Sequence, residues 1–323
     1  MTSRLRAGAL ALTCLAVLFA SPAPAQDYPT RPIHFVVGFA AGGPNDIVAR
    51  ILGEWLSKHM GQQWVIENRA GSGGMLAAGQ VLATAPDGYT LMFVAPNNAI
   101  GASLYKKLPF NYIRDSAPVA GTLRLANLMV VPPSLPVNSV AEFIAYAKAN
   151  PGKLNFASSG NGTSVHMSGE LFKLMAGIDI VHVPYRGSAA AYPDLMSGKV
   201  HVLFDNLPGS IEFVRTGKLR ALGVTTAKRS DALPDIPAIG EVVPGYEASV
   251  WYGIAAPKGT PPEAIEVLNK ALAAALADPK MQARIAELGG TPMPMSPAEF
   301  GRLVADETEK WGAVVRSAGL SVE

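Results

Sequence analysis

The sequence predicts a two-lobed α/β protein in which each lobe is a mainly parallel sheet flanked by helices. Three observations carry that expectation. Short apolar strands alternate with segments of helical period along most of the chain. A strand, a glycine-rich loop and a helix follow one another twice, first around residues 33–56 and again around 154–175. Finally, the chain has 323 residues, too many for one ordinary core and suited to two of about 100–200 residues each.

The first 25 residues stand apart from this plan. Arg4 and Arg6 precede an unbroken apolar run, residues 7–20, that leads to Ala23-Pro24-Ala25. This is the layout of a cleavable secretory signal, too short for a membrane-spanning helix of about 20 residues. The mature chain is expected to begin at Gln26, free of lipid, because Thr13 rather than a small residue precedes Cys14 and the apolar run continues beyond it. Cleavage removes two bases and no acid from 27 Lys+Arg against 25 Asp+Glu, which leaves the mature chain balanced. A neutral chain without basic blocks has no electrostatic footprint for nucleic acid or an anionic membrane surface. It also loses Cys14, its one cysteine, and with it any disulfide, thiolate nucleophile or thiolate metal ligand.

Residues 33–39 form the first strand. Ile47, Val48, Ile51, Leu52, Trp55 and Leu56 then recur at helical spacing; Pro44 suits the first helical position, and Asp46 falls near the positive end of the helix dipole. A strand at 63–67, a helix at 74–85, a Pro86-Asp87-Gly88 turn and a strand at 89–95 complete a βαβαβ unit. The second unit opens with a strand at 154–157, the loop SSGNGTSVH at 158–166 and a helix at 167–175. Segments 178–183, 189–196, 200–204 and 219–224 continue the alternation. Two extended apolar stretches, 118–133 and 248–262, read as strands crossing between lobes, with hinges near 124–130 and 248–254. Helices at 262–276, 279–288 and 297–318, each opened by Pro, are expected to return to the first lobe. The domains expected are therefore 26–126 plus 249–323, and 127–248.

Several chemistries fail on spacing. The loop GFAAGGPNDIVAR, residues 38–50, lacks the lysine and hydroxyl of a phosphate loop, and neither GSGG (71–74) nor GNGTSV (160–165) supplies a dinucleotide fingerprint, so no cofactor is expected. In GTSVH (162–166), His166 stands where a nucleophile elbow needs glycine. The histidines at 34, 59, 166, 182 and 201 show no metal-ligand spacing; His34, His182 and His201 alternate with apolar strand residues, as rim or satisfied core groups do.

The helix starts themselves survive. The first amides of a helix have no intrahelical acceptor and lie at the positive end of its dipole, so they hold an anion without a basic side chain. Glycines at 42, 43, 160 and 162 allow the backbone to approach a ligand closely. Ligands of such folds sit beyond the carboxyl ends of the strands, where both loops lie.

With these residues in view the chain resembles the Bug family, the substrate-binding proteins of tripartite tricarboxylate transporters. The segments that carry the likeness are YPTRPIHFVVGFAAGGPNDIVAR, ENRAGSGG, APDGYTL, AKANPGKLNFASSGNGTSVHMSGELF, HVPYRG and GKLRALGVTTAKRS, spread from Tyr28 to the C-terminus. The resemblance implies a non-enzymatic, monomeric periplasmic binding protein of the type II-like Venus flytrap form. Its ligand would be a small organic carboxylate, a di-, tri- or aromatic acid, and its partners integral-membrane transporter subunits. Carried over by position, the first ligand loop includes Phe39, Ala41, Gly42, Gly43, Asn45 and Asp46, and the second Ser159, Gly160, Thr163, Ser164 and His166. Asn97, Tyr185, Arg186, Ser188 and Asp205, at other strand ends, would line the cleft. Asp46 is expected to organise loop and water, because a carboxylate facing a carboxylate repels. Trp251 and Tyr252 are either an aromatic wall or hinge packing. A secreted serine-type hydrolase using Ser164, and a carboxylate sensor without a transport role, remain as alternatives.

Overall fold

The computed structural model describes residues 28–317 and 319–322. The expected signal segment, Cys14 and Gln26 lie outside them. The first strand, β1 (Ile33–Val37), is apolar at four of its five positions and almost wholly buried, as a central strand covered on both faces requires. It is followed by α1 (Pro44–Met60), which opens on proline at its first position and closes on Gly61 at φ 71°. Next come β2 (Trp64–Asn68), a short 3-10 turn at Ser72–Gly74, α2 (Met75–Leu82), β3 (Thr90–Val94), α3 (Pro96–Leu104), α4 (Tyr112–Asp115) and the long β4 (Ser116–Val131). The second unit contains α5 (Val140–Ala149), β5 (Asn155–Ser158), α6 (Ser164–Ala176), β6 (Val181–Pro184), α7 (Ser188–Met196), β7 (Val202–Asn206), α8 (Leu207–Arg215) and β8 (Arg220–Val224). The chain returns through β9 (Ser249–Pro257), α9 (Pro262–Ala277), α10 (Pro279–Glu287), β10 (Gly290–Pro292) and α11 (Pro297–Ser317).

The strands run in the order β2-β1-β3-β9-β4-β7-β5-β6, with β10 and β8 also paired to β4. The parallel cores are β1 with its neighbours β2 and β3, and β5 with its neighbours β6 and β7. Strands β9, β4, β8 and β10 add antiparallel pairs, so the curled sheet is mixed. This follows from the crossings, since a strand that passes between units runs against the neighbours it leaves or joins.

β4 belongs to both units. Up to Ala126 it pairs with β9, and from Asn127 onward with β7. Thr225 stitches the crossings together: its amide donates to Asn127 O at 2.9 Å, its hydroxyl donates to Ala248 O at 2.6 Å, and its Oγ1 accepts from the Asn127 amide at 2.9 Å.

The period of two along β4 sorts its side chains between cores. Leu128 and Val130 enter a cluster with Ala191 and Leu195 of α7 and Ile211 of α8. Met129 and Val131 enter another with Phe143 of α5 and Phe172 of α6. In the first unit, Phe35 and Val37 pack with Leu52 of α1 and Leu272 of α9, while Val36 packs on the other face with Ala78 of α2 and Phe300 of α11. α9 and α10 lie on the first unit, as expected. α11 does more: Phe300 and Val304 join the first unit, whereas Trp311 and Val315 join the Phe143 cluster of the second. Glu307 lies between them and accepts from the indoles of Trp251, at 3.1 Å, and Trp311, at 2.8 Å. The last helix therefore spans both units.

Candidate functional site

The first jaw is built from the start of α1. Gly43 occupies the N-cap position and offers no side-chain acceptor, and Pro44 has no amide hydrogen. The amides of Asn45 and Asp46 are left without an intrahelical acceptor in a buried turn. Asp46 points back into its own loop, where Oδ2 accepts from the Gly42 amide at 2.8 Å and from Arg50 Nε at 2.9 Å. Burial acts to raise its pKa, but hydrogen bonds from Arg50, Gly42 and Asn68, with the Arg50 charge, outweigh it and hold the carboxyl below its ordinary range. Its Oδ1 is buried and has no hydrogen-bond partner among the described residues. Asn68 Nδ2 steadies the loop further by donating to Phe39 O at 3.0 Å.

The second jaw uses the same motif and holds it differently. Thr163 caps α6: its Oγ1 accepts from the His166 amide at 3.2 Å and donates to Gly160 O at 2.8 Å. Gly160 and Gly162 stand at φ 123° and 76°, the left-handed side of the map that glycine tolerates. The Gly160 amide donates to Ser158 Oγ at 3.1 Å, and the Gly162 amide to His166 Nδ1 at 3.2 Å. Burial and the neighbouring His182 and Lys173 push the His166 pKa down to about 3, so the ring is a neutral acceptor.

Beside the two loops lies a cavity of about 770 Å³, which Gly38 and Phe39 of the first loop and Ser159, Gly160 and Asn161 of the second reach, whereas Gly43, Asn45, Asp46, Thr163, Ser164 and His166 do not line it. Phe39, Ser159, Gly160, Tyr185 and Arg186, all expected at the cleft, line it. A third wall, the turn Gly71–Gly74, lines it too and is absent from the sequence expectations; its glycines at 71, 73 and 74 all have positive φ, as a backbone exposed for close approach requires. The two units touch around the cavity. A Cβ placed on Gly73 would stand 2.1 Å from Asn161 O, and one on Gly187 would stand 3.2 Å from the Ala40 amide nitrogen. Tyr105 Oη donates to Asn161 O at 3.2 Å. The two units are therefore in contact beside the cavity.

Other expected residues sit behind the wall. Asn97 is buried and donates to Gly73 O at 3.0 Å, supporting the glycine turn. Asp205 is fully buried, with its oxygens taken by Ser188 Oγ at 2.5 Å, Tyr192 Oη at 2.7 Å and Ser210 Oγ at 2.9 Å; burial raises its pKa despite those bonds. Tyr185 turns its hydroxyl away to Asp194 at 2.8 Å. Ala41 and Gly42 are exposed and do not line the cavity. Trp251 and Tyr252 are packing groups and no aromatic wall: Trp251 sits edge-on to Phe300, and the Tyr252 hydroxyl reaches Asn206 Oδ1 across the crossing at 2.8 Å.

Ser164 and His166 are not paired with each other. Ser164 Oγ accepts from Asn206 Nδ2 at 3.1 Å, whereas the His166 nitrogens face Gly162 and, at 3.8 Å, Glu170. Among the described residues no group of three His, Cys, Asp or Glu is arranged to hold a metal, and no helix is long and apolar enough to cross a membrane.

Comparison with known proteins agrees with this geometry. Residues 48–320 match the model of the tripartite tricarboxylate transporter family receptor. Protein BugT of Bordetella pertussis is 36% identical over 307 residues, covering 94% of each chain. The solved structure of R. palustris Rpa4515 with adipate superposes with a TM-score of 0.89 at 40% identity, over 91% of this chain and 99% of that one. MatC of Rhodopseudomonas palustris with bound malate gives a TM-score of 0.85 at 32% identity, over 89% and 100%. A two-domain α/β fold, a cavity lined from both units and matches over nearly the whole chain lead to one conclusion: this chain belongs to the tripartite tricarboxylate transporter receptor family of periplasmic solute-binding proteins.

Proposed function

We propose that this chain is a non-enzymatic receptor, exported through a cleavable signal, that closes on one small organic acid and delivers it to integral-membrane transporter subunits. One observation carries the ligand class. The cavity is lined from both units, its charged lining residues are Lys107 from the first and Arg186 from the second, and no carboxylate lines it among the described residues. Helix dipoles act in the same sense, because the loops that bring Phe39 and Ser159 to the cavity run into the starts of α1 and α6, where the Asn45 and Asp46 amides are uncapped and Thr163 takes the His166 amide alone. The related proteins solved with adipate and malate bind dicarboxylates, which supports a di- or tricarboxylate, with an aromatic acid as the remaining class.

In this reading residues 26–126 and 249–323 form one domain and 127–248 the other. The hinge lies where β4 exchanges β9 for β7 and where Ala248 leaves Thr225. Asp46, charged and committed to Arg50 and Gly42, keeps the first loop in shape and offers its free oxygen to water or a ligand hydroxyl. A monomer suffices, since one chain supplies both jaws.

The test is a thermal-shift screen of the purified protein, residues 26–323, against mono-, di-, tri- and aromatic carboxylates, with calorimetry on the strongest acid. Saturation at 100 times the dissociation constant raises stability by about 2.7 kcal/mol. A protein that no acid stabilises is not this receptor, and turnover of esters lost on Ser164→Ala would make it a hydrolase.

A further inference from the structure

The wall of the second jaw is held by two histidines that the ligand cavity does not contact. Ser158 Oγ, wholly buried, accepts the Gly160 amide at 3.1 Å and lies 2.6 Å from His182 Nε2. Among the described residues that nitrogen is the one acceptor paired with the Ser158 hydroxyl, and giving the hydroxyl proton this partner assigns His182 the tautomer protonated at Nδ1. His166 Nδ1 accepts the Gly162 amide and is therefore unprotonated as well. The imidazoles stack with centroids 4.0 Å apart at 25°, and the Phe156 ring lies beside the pair, 4.7 Å from His182 and 6.3 Å from His166. Two imidazolium ions do not stack at that separation in a buried site. Around the pair stand Glu170 and Lys173 on α6; these form an ion pair with each other at 3.2 Å, and Lys173 lies over the Phe156 ring. Burial and the Lys173 charge push the His182 pKa down to about 4.

We propose that His166 and His182 are positioning residues for the ligand cleft. As neutral acceptors, one directly and one through the Ser158 hydroxyl, they fix the amides of Gly162 and Gly160 and so set the backbone of residues 159–163 against which the acid is held. Each glycine stands at a positive φ with its amide turned inward, and an amide that loses its acceptor in a buried loop turns to find another. The loop carries Ser159, Gly160 and Asn161 into the cavity wall, so a rotated peptide there reshapes the surface an acid meets. This inference rests on the carboxylate-receptor reading above.

The experiment separates the acceptor from the ring. His166→Asn and His182→Gln keep an oxygen close to the position of the accepting nitrogen; His166→Leu and His182→Leu keep bulk and remove the acceptor; Ser158→Ala breaks the relay with the smallest change in volume. Affinity is measured by calorimetry at pH 7.5 for whichever of adipate, malate, citrate and benzoate binds the wild-type protein most tightly, alongside the melting temperature without acid. Expected is a loss of about tenfold in affinity for Ser158→Ala and for each Leu variant, and recovery to within about threefold for His166→Asn and His182→Gln, although these lose the stacked pair as well. If a Leu variant does not fold, Ser158→Ala carries the comparison. Leu and amide variants that bind alike, or Ser158→Ala binding as the wild type does, would overturn the proposal while leaving the receptor reading intact. A wild-type protein that binds none of the four acids overturns that reading first, and this one with it.

Discussion

The two jaws share one design, strand, glycine loop and helix start, yet they are held by opposite chemistry. The first is ionic: Asp46, kept charged by Arg50, binds the amide of its own loop, and the helix start has no cap. The second is neutral: a threonine cap, a serine and two uncharged imidazoles take up the loop's amides and carbonyls. An uncapped helix start with an anchoring carboxylate leaves its amides and dipole to a ligand, whereas a capped one offers fewer amides in a more rigid frame. In the receptor reading proposed above, this difference gives dipole binding mainly to the first jaw and shape to the second.

The strongest way to break the pair is to stop it closing. Gly73 meets the second jaw at Asn161 O and stands at φ 58°, so Gly73→Val strains the turn and opposes closure. Affinity for the acid should fall about a hundredfold, about 3 kcal/mol, by calorimetry, while the melting temperature without acid falls much less than a core substitution would lower it.

Acid should distinguish the jaws. The histidines have folded pKa values below the unfolded value near 6.5, so the unfolded chain takes up protons first; their contribution is complete above that pH and declines towards about 4 for His182 and about 3 for His166. Asp46 is also lowered, so its contribution holds down to the ordinary aspartate range and is lost only as pH falls through the lower folded value. Between pH 6.5 and 5 the wild-type protein should lose about 3 kcal/mol of stability through the two histidines. Denaturant unfolding of the His166→Asn, His182→Gln double variant should show a flatter dependence over that window, and Asp46→Asn should not.

Asp46→Ala, which frees the Gly42 amide and strands Arg50, should cost about 2 kcal/mol in unfolding free energy. Thr163→Val, the matching change in the second jaw, removes a cap and should cost about 1 kcal/mol. A larger loss at Thr163 than at Asp46 would invert the contrast between the jaws.

Much of this was legible in local pattern. Gly42-Gly43-Pro44 and Gly160 to Thr163 announce helix starts because glycine and proline have few other uses between a strand and a helix, and both crossings read as long apolar strands. α3 and α8 follow a strand with at most one residue between and no glycine loop to announce a helix start, and neither they nor the ten-residue α5 is legible in the sequence. The turn Gly71–Gly74 carried a signal, three glycines in four residues, but a dinucleotide fingerprint was the wrong ligand to ask of it. Lys107 and Tyr105 reach the cavity only through tertiary packing. His182 reads correctly as a satisfied strand residue; what it satisfies, a serine under a loop from another strand, is a nonlocal fact. Asp205 looks like a cleft residue in sequence because nothing local reveals the three hydroxyls that surround it.

The central claim is that both jaws grip one acid, and the most direct measurement is a crystal structure of the protein with its tightest-binding carboxylate. The account predicts a closed cleft, with one carboxylate within hydrogen-bonding distance of the Asn45 and Asp46 amides and the same molecule against the backbone of residues 159–165. An acid bound to one unit alone, or outside the space between Phe39 and Gly160, would contradict it.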